Sequence, residues 1–453
     1  MPTLAGQGST ILPDTTGRFS LIQLADEYGY NNASLSANQI QSEAQAPNTY
    51  DAVWAAFQPQ TWSQYHAAGS TLILSRYYVP FEDAYLISGH DLSWFEQNHP
   101  SWILFGCQSN GTPTLDHAWT GTLAAFGKDV PLDIHNPDVV AYQMNTLLQY
   151  LQANGYDAVA IDQIVFQNFL LSPNPNLDGS NPTSGWYGCG VYTQWNGTTP
   201  VASSFVRVYG SPSGGDSEQP DQTFINDLLN WVQTAKSTLG GAGIKVLVNH
   251  PASGTAPSGN DATLINSVDG VVDETGFTNY GQWGPDAGTP GDFATTLSWV
   301  QNVQSMGKAV FLADYYNCQY VPANCNFTSA SQLSGAEADW AAATYAIANG
   351  GGLGMFIAPQ GVGEYSYRPE LTTSYGAPCG PPVQSGSLYV RKFSKGLAIV
   401  NDSSSAQTYT LPNHAYTDIE QNHITIPGPG GTIAINRADG AMLLVTDGSN
   451  GCS

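Results

Sequence analysis

The stretch from Asn136 to Gln163, NPDVVAYQMNTLLQYLQANGYDAVAIDQ, constrains the fold more than any other part of the chain. Asn136 is placed to cap a helix, and Pro137 suits the first helical position, where a missing N–H costs nothing. Val140, Met144, Leu147, Leu148 and Leu151 recur at helical spacing, and Gly155 stands where a left-handed residue ends a helix. Asp157-Ala-Val-Ala-Ile161 then makes a short apolar run of the kind covered on both faces in a parallel sheet, and Asp162 follows at its C-terminal end. Ligands bind at that edge of a parallel α/β fold, so a carboxylate there is a candidate for chemistry. Capping a loop is the competing role.

Seven other segments share this apolar character: Phe19–Ala25, Tyr50–Ala56, Thr71–Val79, Ile244–His250, Gly270–Glu274, Ala309–Asp314 and Leu353–Ala358. Helical patterns at Phe224–Leu239, Phe293–Met306 and Ala336–Ala348 separate several of them. Eight strands alternating with helices predict a (β/α)8 TIM barrel within the α/β class. An open doubly wound sheet is disfavoured, because no G-x-G-x-x-G or Walker sequence follows any strand. Five strands end on polar residues, at Asp26-Glu27, Asp162, Asn249-His250, Asp273-Glu274 and Asp314, which is the pattern of an active-site rim. Two long excursions, near 84–134 and 167–220, interrupt the barrel. The second is rich in Asn, Pro, Gly and Ser, and reads as a functional loop without structure of its own. From Gln384 onward the pattern changes to short, regularly spaced strands, which predicts a small antiparallel β-sandwich over 384–453 after a barrel over 1–383.

Composition narrows the ligand. Twelve Lys+Arg against 36 Asp+Glu give a formal net charge of −24, which repels nucleic acid and anionic membranes. With 24 Tyr and 11 Trp and few cations, the chain suits a neutral or weakly charged ligand that has apolar faces and hydroxyls, such as a sugar. Trp54, Tyr77, Tyr78, Trp186, Tyr187, Tyr315 and Tyr316 are candidates to stack on it. Arg76 is conspicuous in so cation-poor a chain, and is placed to steady Asp162 or Asp26. Glu82 and Asp83 read as a solvent-facing loop after the third strand. An even count of six Cys, with Cys318 and Cys325 close together, predicts a local disulfide and an extracellular, secreted protein. The expected state is a monomer without cofactor or metal.

The segments SWFEQNHPSWILF and LDIHNPDVVAYQ…YLQANGYDAVAIDQ, with LYVRKFSKGLAIVND…AMLLV behind them, resemble a group catalogued as hypothetical glycosyl hydrolases, and more distantly polygalactosaminidase-type barrels. The resemblance implies a secreted (β/α)8 glycoside hydrolase with Asp162 at its catalytic centre. Barrel glycosidases with a carboxylate on strand four often place its partner on strand six, where this chain has Asp273 and Glu274. Alternation aims only one of the two inward; Glu274 shares a side with Gly270 and Val272 and is the choice, with Asp273 as fallback. The implied chemistry pairs Asp162 as nucleophile with Glu274 as acid/base. Asp314, Asn249 and His250 are expected to hold sugar hydroxyls, alongside Arg76, Trp54, Tyr78, Asp273 and Tyr315; Asp314 is as readily a structural partner of Arg76, and His250 a structural residue. Two alternatives stay open. One is a non-catalytic carbohydrate-binding barrel; the other is a metal-dependent deacetylase using Asp133, His135, Asp162 and His250.

Overall fold

The computed structural model describes residues 11–12, 17–20, 22–24, 51–56, 66–67, 69, 71–107, 113–117, 129–164, 166, 186–209, 222–279, 281–285, 289–316, 335–359, 373–412, 414–418, 425–426 and 430–453. Eight parallel strands run through it: β1 (Ile22–Leu24), β2 (Ala52–Ala56), β3 (Ile73–Tyr78), β4 (Ala158–Ile161), β5 (Lys245–Asn249), β6 (Gly270–Asp273), β7 (Ala309–Tyr316) and β8 (Leu353–Pro359). They follow one another in chain order along a single sheet. Helices Pro137–Asn154, Gln222–Gly241, Gly259–Asn266, Phe293–Ser305 and Gly335–Ala348 fill the successive connections from β3 to β8. Strand order and alternation are those of a (β/α)8 fold, as the sequence predicts.

Two compact units divide the chain, one of residues 77–248 and one of 1–76 with 249–453. Both boundaries fall inside strands, between Arg76 and Tyr77 of β3 and between Val248 and Asn249 of β5. In the unit of 77–248, Asp162 N donates to Tyr78 O at 2.9 Å, which pairs the ends of β3 and β4. β4 and β5 are in register from Ala158–Lys245 to Ile161–Val248. The helix before β4 forms for the reasons its sequence gives: the Asn136 side chain accepts from Asp138 N at 3.0 Å, Pro137 opens it, and Gly155 ends it at φ 70°. Its buried face is Val139, Val140, Gln143, Met144, Leu147 and Leu151, so Gln143 enters the interior where Leu148 was expected.

Where it is described, the second excursion is not structureless, and it pairs with the first. Phe105–Cys107 and Pro113–His117 from the first pair antiparallel with Trp186–Tyr192 and Phe205–Arg207 from the second, in the order 205–207, 186–192, 105–107, 113–117. Phe95, Ile103, Phe105, Val130, Leu132, Val139 and Tyr192 close the core beneath this sheet.

In the other unit, β6, β7 and β8 pair in parallel register, His250 N donates to Val272 O at 2.9 Å, and Met355 N of β8 reaches Ser20 O at 2.9 Å, just before β1. The C-terminal part carries a six-stranded antiparallel sheet that includes Leu388–Phe393, Gly396–Asn401 and Asp439–Val445, and a two-stranded sheet of Gln407–Thr410 with Thr432–Ile435. Leu397, Ile399, Leu411, Tyr416, Ile435 and Leu443 pack between them. Every residue of Gly396–Asn401 is buried, because the sheet's other face meets helix Gly335–Ala348. A Cβ at Gly440 would lie 2.8 Å from Ala343 Cβ, so glycine permits the close approach there. Arg391 crosses the same contact: Nη1 reaches the carbonyls of Ala346 (3.0 Å), Ile347 (3.3 Å) and Asn349 (2.7 Å) at the helix C-terminus, where a cation is favoured. Cys379 and Cys452 form a disulfide; Cys318 and Cys325 lie outside the described residues. Among the described residues no helix is long and apolar enough to cross a membrane.

Replacing Arg391 by Ala strands those buried carbonyls and should lower stability by about 2–4 kcal/mol. Urea unfolding measures this, and a loss below about 0.5 kcal/mol would show that the cap is not needed.

Candidate functional site

The unit of residues 77–248 holds Asp162 where the sequence predicts it, one residue beyond β4 and half-buried. Two donors fix its carboxylate. Gln163 N reaches Oδ1 at 2.8 Å, and the Tyr77 hydroxyl reaches Oδ2 at 3.0 Å. Gln163 takes φ 60°, a left-handed conformation that a non-glycine residue holds at a cost. The chain thus accepts strain at the turn that points an amide at the candidate nucleophile. Tyr77, a candidate to stack on a sugar, is also a partner of Asp162.

Beyond the end of β3, Glu82 and Asp83 form a two-residue strand against Val130–Pro131. The sequence reading placed them in solvent; the structure buries them, at 4% and 2% exposure. Asp83 is well supplied with partners. Ser88 Oγ donates to it at 2.5 Å, and Tyr142 also bonds it. Burial, the larger effect, still pushes its carboxyl up to about 7. Glu82 is pushed up to about 8, by burial first and then by the nearby charges of Asp129 and Asp162. Its backbone is held by Gln143, whose Nε2 bonds Pro80 O at 2.8 Å and Glu82 O at 3.0 Å, while Trp231 Nε1 bonds Gln143 Oε1 at 2.8 Å. Tyr78 is buried with its ring stacked on Trp231, 5.6 Å between centroids, so it packs the interior instead of offering a face to a sugar. The sequence reading did not single out Gln143 or Trp231, which hold the Glu82 backbone from distant parts of the chain.

In the other unit, Glu274 lies one residue past β6 and is half-buried, and Asn249 Nδ2 donates to its Oε1 at 2.7 Å. Its neighbour Asp273 is fully buried and takes hydrogen bonds from Thr275 N at 3.1 Å and Thr275 Oγ1 at 2.5 Å. Asp314 is buried as well, and accepts from the amides of Phe277 (2.6 Å) and Thr278 (3.1 Å). It braces the loop after Glu274, and burial pushes its carboxyl up to about 7. A Cβ at Gly276 (φ 52°) would fall 2.3 Å from Asp314 Oδ1, which is why glycine stands there. His250 turns its Nε2 to Asp261 Oδ1 at 3.1 Å, and Ser253 bonds the same carboxylate. His250 thus has a structural partner, the competing role the sequence reading allowed. Trp54 and Arg76 are buried in β2 and β3, and the side chain of Tyr315 lies outside the described residues. Among the described residues no group of His, Cys, Asp and Glu is arranged to hold a metal ion. In the unit of residues 77–248, His135 pairs with Asp227, at 3.1 Å to Oδ2.

No protein-family model matches the sequence, and no curated protein matches it. Solved structures do. The chain is similar to a gamma-CGTase from alkalophilic Bacillus clarkii (10% identity, 97% of this chain and 72% of that chain, TM-score 0.49). It is similar also to a noncanonic maltogenic alpha-amylase from Thermotoga neapolitana (9%, 96% and 100%, TM-score 0.48) and to an alpha-amylase from Geobacillus thermoleovorans complexed with acarbose (10%, 96% and 100%, TM-score 0.46). At such low identity function is decided by this chain's own side chains.

The buried carboxyls give the protein a distinctive pH response. Glu82, Asp83, Asp133, Asp314 and Asp439 are raised to about 8, 7, 6, 7 and 6. Folded, they keep protons that the unfolded chain releases above about pH 4, so the folded state binds more protons and stability falls as pH rises from about 4 to about 8. Asp261 is shifted down by His250, so its contribution is lost only below that window. The melting temperature should therefore be higher at pH 5 than at pH 8; a rise over that range would contradict the burial of these groups.

Proposed function

We propose that the protein is a glycoside hydrolase acting on a neutral or weakly charged polysaccharide or oligosaccharide. The observation that carries the reading is Asp162, a half-buried carboxylate at the C-terminal end of a parallel strand, held by Tyr77 and by the strained turn at Gln163. Its role is to meet the positive charge that develops at the anomeric carbon, as nucleophile or stabiliser. The acid/base role falls to Glu274, oriented by Asn249. An acidic chain poor in cations fits a substrate without phosphate or sulfate. The Cys379–Cys452 disulfide supports an oxidising, extracellular location, and reaction of either cysteine with a thiol reagent in the native protein would count against it.

A panel of polysaccharides assayed for released reducing ends tests the activity. On the substrate that wild type cleaves, Asp162→Asn and Glu274→Gln should each lower kcat by about a hundredfold or more, with the circular dichroism unchanged. Near wild-type turnover in either variant removes that residue from its role. Binding of glycans without cleavage by wild type would make the protein a carbohydrate-binding module.

A further inference from the structure

Adjacent in one short strand, Glu82 and Asp83 are both buried, yet they are treated in opposite ways. Asp83 receives donors from Ser88 and Tyr142. Among the described residues Glu82 Oε1 is buried without a hydrogen-bond partner, although a donor lies close by: Gln143 Nε2 bonds the backbone carbonyl of Glu82. Among the described residues the charged groups acting on Glu82 are acidic, Asp129 and Asp162. Tyr78, also buried, lies within electrostatic reach of Glu82, Asp83, Asp129 and Tyr142. A charge on Glu82 would therefore be desolvated, without a hydrogen bond at Oε1, and repelled by two carboxylates, whereas a neutral acid there carries a proton ready to donate. Such an unfilled buried group calls for an explanation beyond packing.

We propose that Glu82 is a positioning residue of the Asp162 site, a buried carboxylic acid that stays neutral and so sets no second negative charge beside Asp162. Asp162 leaves the C-terminal end of β4 beside Tyr78 of β3, Glu82 follows on the chain beyond β3, and the Trp231–Gln143 bridge fixes the Glu82 backbone. Burial and neighbouring acidic groups both favour the neutral form of a carboxyl, and Glu82 has both. Glu82 acts through Asp162 and not by touching the sugar. For its catalytic meaning the inference rests on the hydrolase reading; the neutrality of Glu82 does not.

Infrared difference spectra against Glu82→Gln read the proton directly. Wild type at pH 6 should show the carbonyl stretch of a protonated carboxyl that the variant lacks, titrating at about pH 8. In Asp162→Asn, where one repelling charge is gone, that midpoint should fall by about half a pH unit or more. No protonated band assignable to Glu82, or an unchanged midpoint in Asp162→Asn, overturns the proposal. On a cleaved glycan, kcat of wild type should fall as Glu82 ionises, and Glu82→Gln should lose that alkaline limb; an unaltered limb overturns the positioning role. If no glycan is cleaved, the hydrolase reading fails by itself and the infrared titration still decides whether Glu82 stays protonated.

Discussion

The pairing of β3 with β4 at their C-terminal ends, closed by the bond from Asp162 N to Tyr78 O, is the contact on which the chemistry of the unit of 77–248 depends. It sets Asp162 directly beside the strand whose continuation carries Glu82. Backbone geometry alone thereby gathers carboxyl groups at one edge, and that edge is where a parallel sheet presents its loops. The surroundings of the two acids differ. Tyr77 and Gln163 donate to Asp162, while burial and two acidic neighbours push the Glu82 carboxyl up. Asymmetry between otherwise similar side chains is what acid–base chemistry requires.

The unit of 1–76 and 249–453 solves a different problem. Here most rim acids are tied into the frame: Asp273 to Thr275, Asp314 to the amides of Phe277 and Thr278, and Asp261 to His250. Glu274 stays half-buried, with Asn249 as a side-chain donor. A polar residue at a strand end is thus as often a brace for the next loop as a tool for chemistry, and burial with backbone donors tells the two apart.

Much of this was legible in the sequence because it is local. The helix Pro137–Asn154 carries its own cap, start and stop, and each strand its own apolar run, so strand order followed from alternation alone. What escaped depends on partners far away in the chain. Glu82 and Asp83 read as exposed because two acidic residues after an apolar strand normally are; they are buried because Val130–Pro131 pairs with them and Gln143 reaches Pro80 and Glu82. The second excursion looked structureless because its composition is that of loops, and its order comes from pairing with Phe105–Cys107. The Cys379–Cys452 disulfide closes a sequence separation of 73, which no spacing rule selects.

The central claim is that Asp162 meets the anomeric carbon of a sugar. A crystal structure of Asp162→Asn with an oligosaccharide from the substrate glycan tests it most directly. The account predicts a sugar ring whose anomeric carbon lies about 3–3.5 Å from the side chain at position 162. A ring bound elsewhere, with residue 162 contacting no sugar, would contradict it.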